Sequence, residues 1–216
     1  GFCATDLMPR ATFRQWPLTL EVTEIDAKTP TSHYLNFLGA YYRPVGPKVV
    51  IGLGISTPSG FGTTWNGEDL AGISEGTVFS WSSRYRLLAI SPLIAINLTR
   101  WLSIGAAVNI HYGTLNLMEP ERMGFEAAWV KLQYEERTSG WGFGAAFGVL
   151  AKPLKELAIG LTVRIPPSIS YKGTARMSEL PLYGLHETSE LWHKIAWPLW
   201  IGGGVSFLPF KGLLLS

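Results

Sequence analysis

The 216-residue chain sets 18 Lys and Arg against 16 Asp and Glu, and its net charge of +2 is too small to argue for a nucleic-acid partner. Charged residues make up 16% of it, against ~25% in ordinary soluble domains, and the mean hydropathy is +0.17. No run reaches the roughly 18 uninterrupted apolar residues of a membrane helix, which excludes a helical membrane protein, and the lone Cys3 excludes an intrachain disulfide.

From the N-terminus onward, segments of about ten residues alternate large apolar side chains with small or polar ones, the period of a strand with two unlike faces. Weak alternation occupies 16–25 and 34–43. In 48–57, Val49, Ile51, Leu53 and Ile55 oppose Val50, Gly52, Gly54 and Ser56. In 88–98, Ile90, Ile94 and Ile96 oppose Ala89, Ser91, Ala95 and Asn97. The clearest case is 101–112, where Leu102, Ile104, Ala106, Val108 and Ile110 oppose Ser103, Gly105, Ala107, Asn109 and His111. Segments 141–150, 156–165 and 197–207 follow, the last with Trp197, Leu199, Ile201, Val205 and Phe207 outward.

The second face is small rather than charged. A strand on a soluble core usually carries Lys, Glu or Asp there, whereas an apolar outside and a small, wet inside mark a transmembrane β-barrel. A soluble β-sandwich is the alternative. The links alternate in length: 43–48, 98–101, 152–156 and 208–211 are tight, while 26–33, 58–77, 118–126 and 178–192 are longer. Outer-membrane barrels are built this way, tight turns toward the periplasm. Aromatic girdles are expected from Tyr41, Trp101, Phe207 and Phe210 below and from Trp81, Trp129, Tyr134 and Tyr171 above. Arg84 and Arg86 extend the lipid-facing parity, to meet lipopolysaccharide phosphates or simply water.

Four stretches resemble the FadL/TodX family of outer-membrane transporters for long-chain fatty acids and aromatic hydrocarbons. They are V-V-I-G-L-G-I-S-T-P-S-G-F-G-T-T-W (49–65), A-I-S-P-L-I-A-I-N-L-T-R-W-L-S-I-G-A-A-V-N-I (89–110), G-W-G-F-G-A-A-F-G-V-L (140–150) and L-A-I-G-L-T-V-R-I-P-P-S-I-S-Y-K-G (157–173). They look like the family's third to seventh strands, in order. The resemblance implies an all-β, antiparallel transmembrane β-barrel, with about the first eight of some fourteen strands present. Residues 1–216 would then be one incomplete barrel domain, a piece of a longer product whose N-terminal hatch is absent from this chain. An open sheet of that kind leaves edges that lipid does not tolerate. A closed eight-stranded barrel would be underfilled by Gly and Ala.

The resemblance further implies a monomer in outer-membrane lipid and lipopolysaccharide that takes up a hydrophobic small molecule. Its cargo would leave sideways through a gap beside a kinked third strand. The kink maps onto Ser56, Thr57, Pro58, Ser59 and Gly60, where Pro58 cannot donate a ladder bond. The other reading of these residues is a plain strand end running into a loop. Parity turns Asn109, His111 and Arg164 toward the inside. Arg164 suits a carboxylate, or else pairs with an inner Glu or the hatch; His111 is a packed polar residue or a ligand contact. Pro166 and Pro167 are expected to form a bulge. The family's long, helical loop after the fifth strand is reduced here to the short link 118–126.

No catalytic set, metal or cofactor site emerges. Gly72-Ile73-Ser74-Glu75-Gly76 matches G-x-S-x-G but lacks the strand before and helix after, which predicts loop glycines around a surface serine. His186 and His193 lack tight ligand spacing. A general diffusion porin or structural barrel is the alternative function. It should show a charged constriction, and the inner faces are nearly uncharged.

Overall fold

The computed structural model describes residues 1–15, 25–125, 128–210 and 213–215. Its strands are β1 (Phe2–Leu7), β2 (Thr12–Gln15), β3 (Ile25–Lys28), β4 (Tyr34–Pro44), β5 (Val49–Trp65), β6 (Trp81–Asn97), β7 (Leu102–Phe125), β8 (Ala128–Ala151), β9 (Leu157–Ile165), β10 (Ser168–Met177), β11 (Thr188–Ala196), β12 (Trp200–Phe210) and β13 (Leu213–Leu215). Eleven of them form one sheet in the order β1-β4-β5-β6-β7-β8-β9-β12-β13, with β10 on β8 and β11 on β10. Every pairing is antiparallel, and the sheet curls into a half-barrel.

The alternation seen in the sequence sets the two surfaces. Ile51, Leu53, Ile94, Val108, Phe143, Phe147, Leu161 and Val205 stand exposed on the outside. Such a continuous apolar surface far exceeds what a soluble monomer presents to water. The tight turns gather at one end, here the lower, and the connections 66–80 and 178–187 lie at the upper end.

The polar stretches 77–87 and 127–137 are expected to extend two strands above the bilayer, and β6 and β8 have those extensions; β5 and β7 run past the expected segments. β7 and β8 each have 24 residues, roughly 80 Å at 3.3 Å per residue, about twice a membrane crossing. The expected link 118–126 is therefore mostly strand, because Met118 through Phe125 pair with residues of β8. Residues 58–65, expected as loop, continue β5. The first wall strand is Phe2–Leu7, paired with β4. The segment 16–25 expected in that role lies, except for Ile25, outside the described residues. Part of the expected link 26–33 is β3, which pairs with β2 in a small hairpin. Ile25 and Ala27 of that hairpin pack with Leu70, Trp65 and Trp81 over the upper end of β5 and β6.

β9 and β10 are two halves of one wall strand. Ile165 is opposite Ala145 of β8, and Lys172 is opposite Ser139, so six residues (166–171) face five (140–144) across the expected bulge at Pro166 and Pro167. β12 and β11 are likewise the halves of the next strand, separated by Trp197, Pro198 and Leu199. Above the break the chain leaves the wall and lies inside β8. A β-carbon on Gly142 would stand 2.5 Å from Ile169 Cγ1, and one on Gly140 would collide with the Ser170 carbonyl. Glycine on alternate positions of β8 makes that close passage sterically possible.

Candidate functional site

Below the break, the inner surface is a floor of backbone and small side chains. A cavity of about 580 Å³ lies on it, lined in part by Ser103, Gly105, Gly148, Gly160, Thr162 and Gly202, with Trp200 at its side. The Trp200 ring folds across Gly202, where any β-carbon would strike it. The Arg164 guanidinium sits 5.0 Å from the centre of the same ring, a cation–π contact. The cavity therefore offers apolar contact with one aromatic wall and one fixed cation at its rim. Such a surface suits a hydrocarbon or the body of an amphiphile.

Above the cavity the inside is filled. Tyr85, Leu87, Ile169 and Tyr171 form a buried cluster backed by Leu115, Ile195 and Trp197. Ile169 and Tyr171 are fully buried. Phe61 and Trp197 each tilt against Tyr85, at 5.9 and 6.1 Å between ring centres. Higher still, Glu136 is 7% exposed yet well partnered. Thr138 donates to it at 3.0 Å, the Tyr134 hydroxyl donates at 3.2 Å, and His193 Nδ1 stands 3.5 Å away. Burial first, and then the Glu136 carboxylate, push the Tyr134 hydroxyl up to about 12.

The pairing between β4 and β5 ends partway up. Their ladder runs from Pro44–Val50 to Leu38–Ser56 and stops, although both strands continue upward. At the same level β5 slips by one residue against β6: Ser56 is opposite Ala89 and Ser59 opposite Leu87, leaving Thr57 and Pro58 to face Leu88 alone. The extra residue exchanges inside for outside. Above it, Phe61 turns inward to Tyr85, and the outer faces of Gly60 and Gly62 are covered by side chains from β4. A β-carbon on Gly60 would lie 2.6 Å from Asn36 Oδ1, and one on Gly62 2.6 Å from the Tyr34 hydroxyl. The upper half of β5 has thus moved inside β4. Side chains replace the missing rungs: Thr57 Oγ1 accepts from Phe37 N at 2.7 Å, and Asn36 Nδ2 donates to the Gly60 carbonyl at 3.1 Å. β5 runs through Ser56, Thr57, Pro58, Ser59 and Gly60 and on to Trp65.

The inward-predicted residues scatter around the cavity rather than lining it. Asn109 and His111 stand above the cavity on β7, opposite Gly144 and Gly142. His111 is 8% exposed, and its Nδ1 has no hydrogen-bond partner among the described residues. Arg164 reaches the cavity through Trp200, which the sequence reading left out although it shares parity with Gly202 and Gly204. The lower girdle residues Tyr41, Trp101, Phe207 and Phe210 are exposed. The upper girdle is different: Tyr171 is inside, Trp81 packs under the β2–β3 hairpin, Tyr134 turns to Glu136, and the side chain of Trp129 lies outside the described residues. Trp197 also faces inward, because the strand changes sides at the prolines. Tyr112 and Trp141, 4.8 Å apart on adjacent strands, are the aromatic pair in line with the outer face. Ser74 is buried in a short 3-10 turn, not at the surface, with Glu75 in the left-handed region at φ 57°. Among the described residues no three His, Cys, Asp or Glu side chains converge as metal ligands.

Similarity in three dimensions decides the architecture. The Pseudomonas putida toluene transporter TodX superposes with a TM-score of 0.72 at 16% identity, over 97% of this chain and 57% of TodX. The chain has the TodX barrel fold. The Ralstonia pickettii toluene transporter TbuX gives a TM-score of 0.68 at 17% identity, over 87% of this chain and 56% of TbuX. A TodX variant described as a monoaromatic hydrocarbon channel gives 0.70 at 15% identity, over 99% of this chain. The chain therefore spans a little over half the length of these structures, TodX and TbuX alike. No protein-family model matches the sequence, and no curated protein matches it.

Proposed function

We propose that this chain is part of an outer-membrane β-barrel that takes up small apolar molecules, aromatic hydrocarbons or the acyl chains of fatty acids. The cargo rests in the cavity beside Trp200 and leaves sideways where β4 and β5 part. The observation that carries this reading is the ladder that stops at Leu38–Ser56 while both strands go on. A closed wall would continue its rungs, because unpaired backbone in lipid is costly. A sideways exit keeps an apolar cargo out of water, at about 0.8 kcal/mol for each CH₂ so protected. The toluene transport named for TodX and TbuX supports the same class of cargo. Asn109 and His111 line the way down from the upper end, and Arg164 meets a carboxylate where the cargo has one. The apolar outer face contacts membrane lipid, with exposed Arg84 and Arg86 on the lipopolysaccharide side and the barrel monomeric.

The test is uptake by liposomes carrying the full-length protein, with radiolabelled long-chain fatty acid and toluene as separate cargoes. Uptake faster than in empty liposomes, without a steady ion conductance, supports the reading. Conductance through an open pore with no gain in uptake turns it toward a general diffusion porin.

A further inference from the structure

The wall breaks a second time, at a place the reading above does not use. Below this break Arg164 is opposite Trp200, and above it Ser168 is opposite Ala196. Between them Ile165 faces Leu199, Pro166 faces Pro198 and Pro167 faces Trp197, with no ladder pairing at any of the three. In an antiparallel pair alternate positions exchange hydrogen bonds, and here either alternate contains a proline without an N–H. Of the three facing pairs, only Ile165–Leu199 has an N–H on both sides.

The seam lies within the apolar outer face. Ile165 and Leu199 are 49% and 58% exposed, and Phe143 and Ile201 are exposed beside them. Ile165 is paired on its other side with Ala145 of β8, but lipid cannot satisfy the backbone groups that face the seam. Directly below the seam on the inner side are Thr162, Trp200 and Gly202, which line the cavity. Directly above it the chain withdraws over Gly140 and Gly142. An unzipped stretch thus separates the cavity from the lipid.

We propose that the seam between residues 165–167 and 197–199 is a second side port, through which an apolar molecule passes between the cavity beside Trp200 and the surrounding lipid. The port rests on the uptake reading and adds a route to it, distinct from the β4–β5 gap and on the other side of β6, β7 and β8. Arg164 on the Trp200 ring forms its inner lower rim, and Ile165 and Leu199 form its outer lip.

The port is tested by stapling it shut in the full-length protein with Cys3 replaced by Ser. Ile165→Cys with Leu199→Cys places a disulfide across the seam. Val163→Cys with Ile201→Cys, opposite each other within the intact ladder one step below, is the control. With toluene as the probe, the seam staple is expected to cut liposome uptake by about tenfold and a reductant to restore it, as for a gated passage. The control staple leaves uptake unchanged. A second closure needs no disulfide: Pro166→Val with Pro198→Val restores two of the three missing donors and is expected to slow uptake in the same direction. Unchanged uptake in both closed forms, beside an active parent protein, overturns the port alone. Equal loss from seam and control staples overturns it as well. A parent protein no faster than empty liposomes sinks the uptake reading itself, and the port with it.

Discussion

The hydroxyls of Tyr85 and Tyr171 stand 3.1 Å apart, joining β6 to the withdrawn upper half of the β9–β10 strand. Both rings are buried, so neither hydroxyl has water to fall back on. Tyr85→Phe and Tyr171→Phe are each expected to destabilise the barrel by about 1–2 kcal/mol, since each strands one buried hydroxyl. The double variant should cost less than the two singles together, by about 1 kcal/mol. Denaturant unfolding of the four proteins in detergent measures this cycle. Strict additivity would mean that the two groups do not share a bond.

The inward course of β5 depends on glycine to unequal degrees. A β-carbon on Gly62 meets the Ser83 carbonyl at 2.5 Å, a backbone atom that cannot step aside. One on Gly60 meets only the Asn36 amide, which can turn away. Gly62→Ala is therefore expected to destabilise by about 1–3 kcal/mol and Gly60→Ala by clearly less. Equal melting temperatures for the two variants would refute the inward path.

Glu119, on the upper extension of β7, has its carboxyl raised above the ordinary value by burial first and then by Glu121 and Glu136. A raised carboxyl favours the folded state while it is neutral, and that advantage is lost as pH rises through the folded-state value. At neutral pH the ionised group is therefore a burden. Glu119→Gln should raise the melting temperature at neutral pH, with the gain fading as pH falls toward about 4, the ordinary carboxylate range. A gain of the same size at both pH values would place its cause elsewhere.

The proposed uptake gives Trp200 and Arg164 separable roles. Trp200→Ala is expected to weaken binding of toluene by about tenfold, the upper end of what one aromatic contact contributes. Arg164→Gln should spare toluene and weaken a fatty acid, whose carboxylate loses its cation. Displacement of a fluorescent hydrophobic probe gives both affinities. Parallel losses for the two cargoes would reduce Arg164 to a support for the Trp200 ring.

What the sequence revealed and what it hid follow from contrast between faces. Segments 48–57, 88–98, 101–112 and 141–150 were legible because Ile, Leu, Val and Phe alternate there with Gly, Ala and Ser. Above them the contrast vanishes. In β7 beyond Gly113, Asn116, Glu119, Glu121 and Arg122 fall on both parities, so nothing in the pattern announces that the strand goes on. Phe2–Leu7 was missed because a short edge strand that includes Thr5 and Asp6 shows no clean alternation. Parity itself failed where a residue was added or pairing lapsed. Past Pro58 and past Pro166 the faces exchange, which sends Phe61, Tyr171 and Trp197 inward although simple counting puts Tyr171 and Trp197 outside. Trp200 was within reach, since it sits on the small face between Pro198 and Gly202.

The proline-faced seam also bears on how this wall is put together. Three residues stand on each side of it, so the pairing above is in phase with the pairing below. Once Arg164 has found Trp200, the partners of Ser168 and everything beyond it are already chosen, and the upper hairpin has no register left to search.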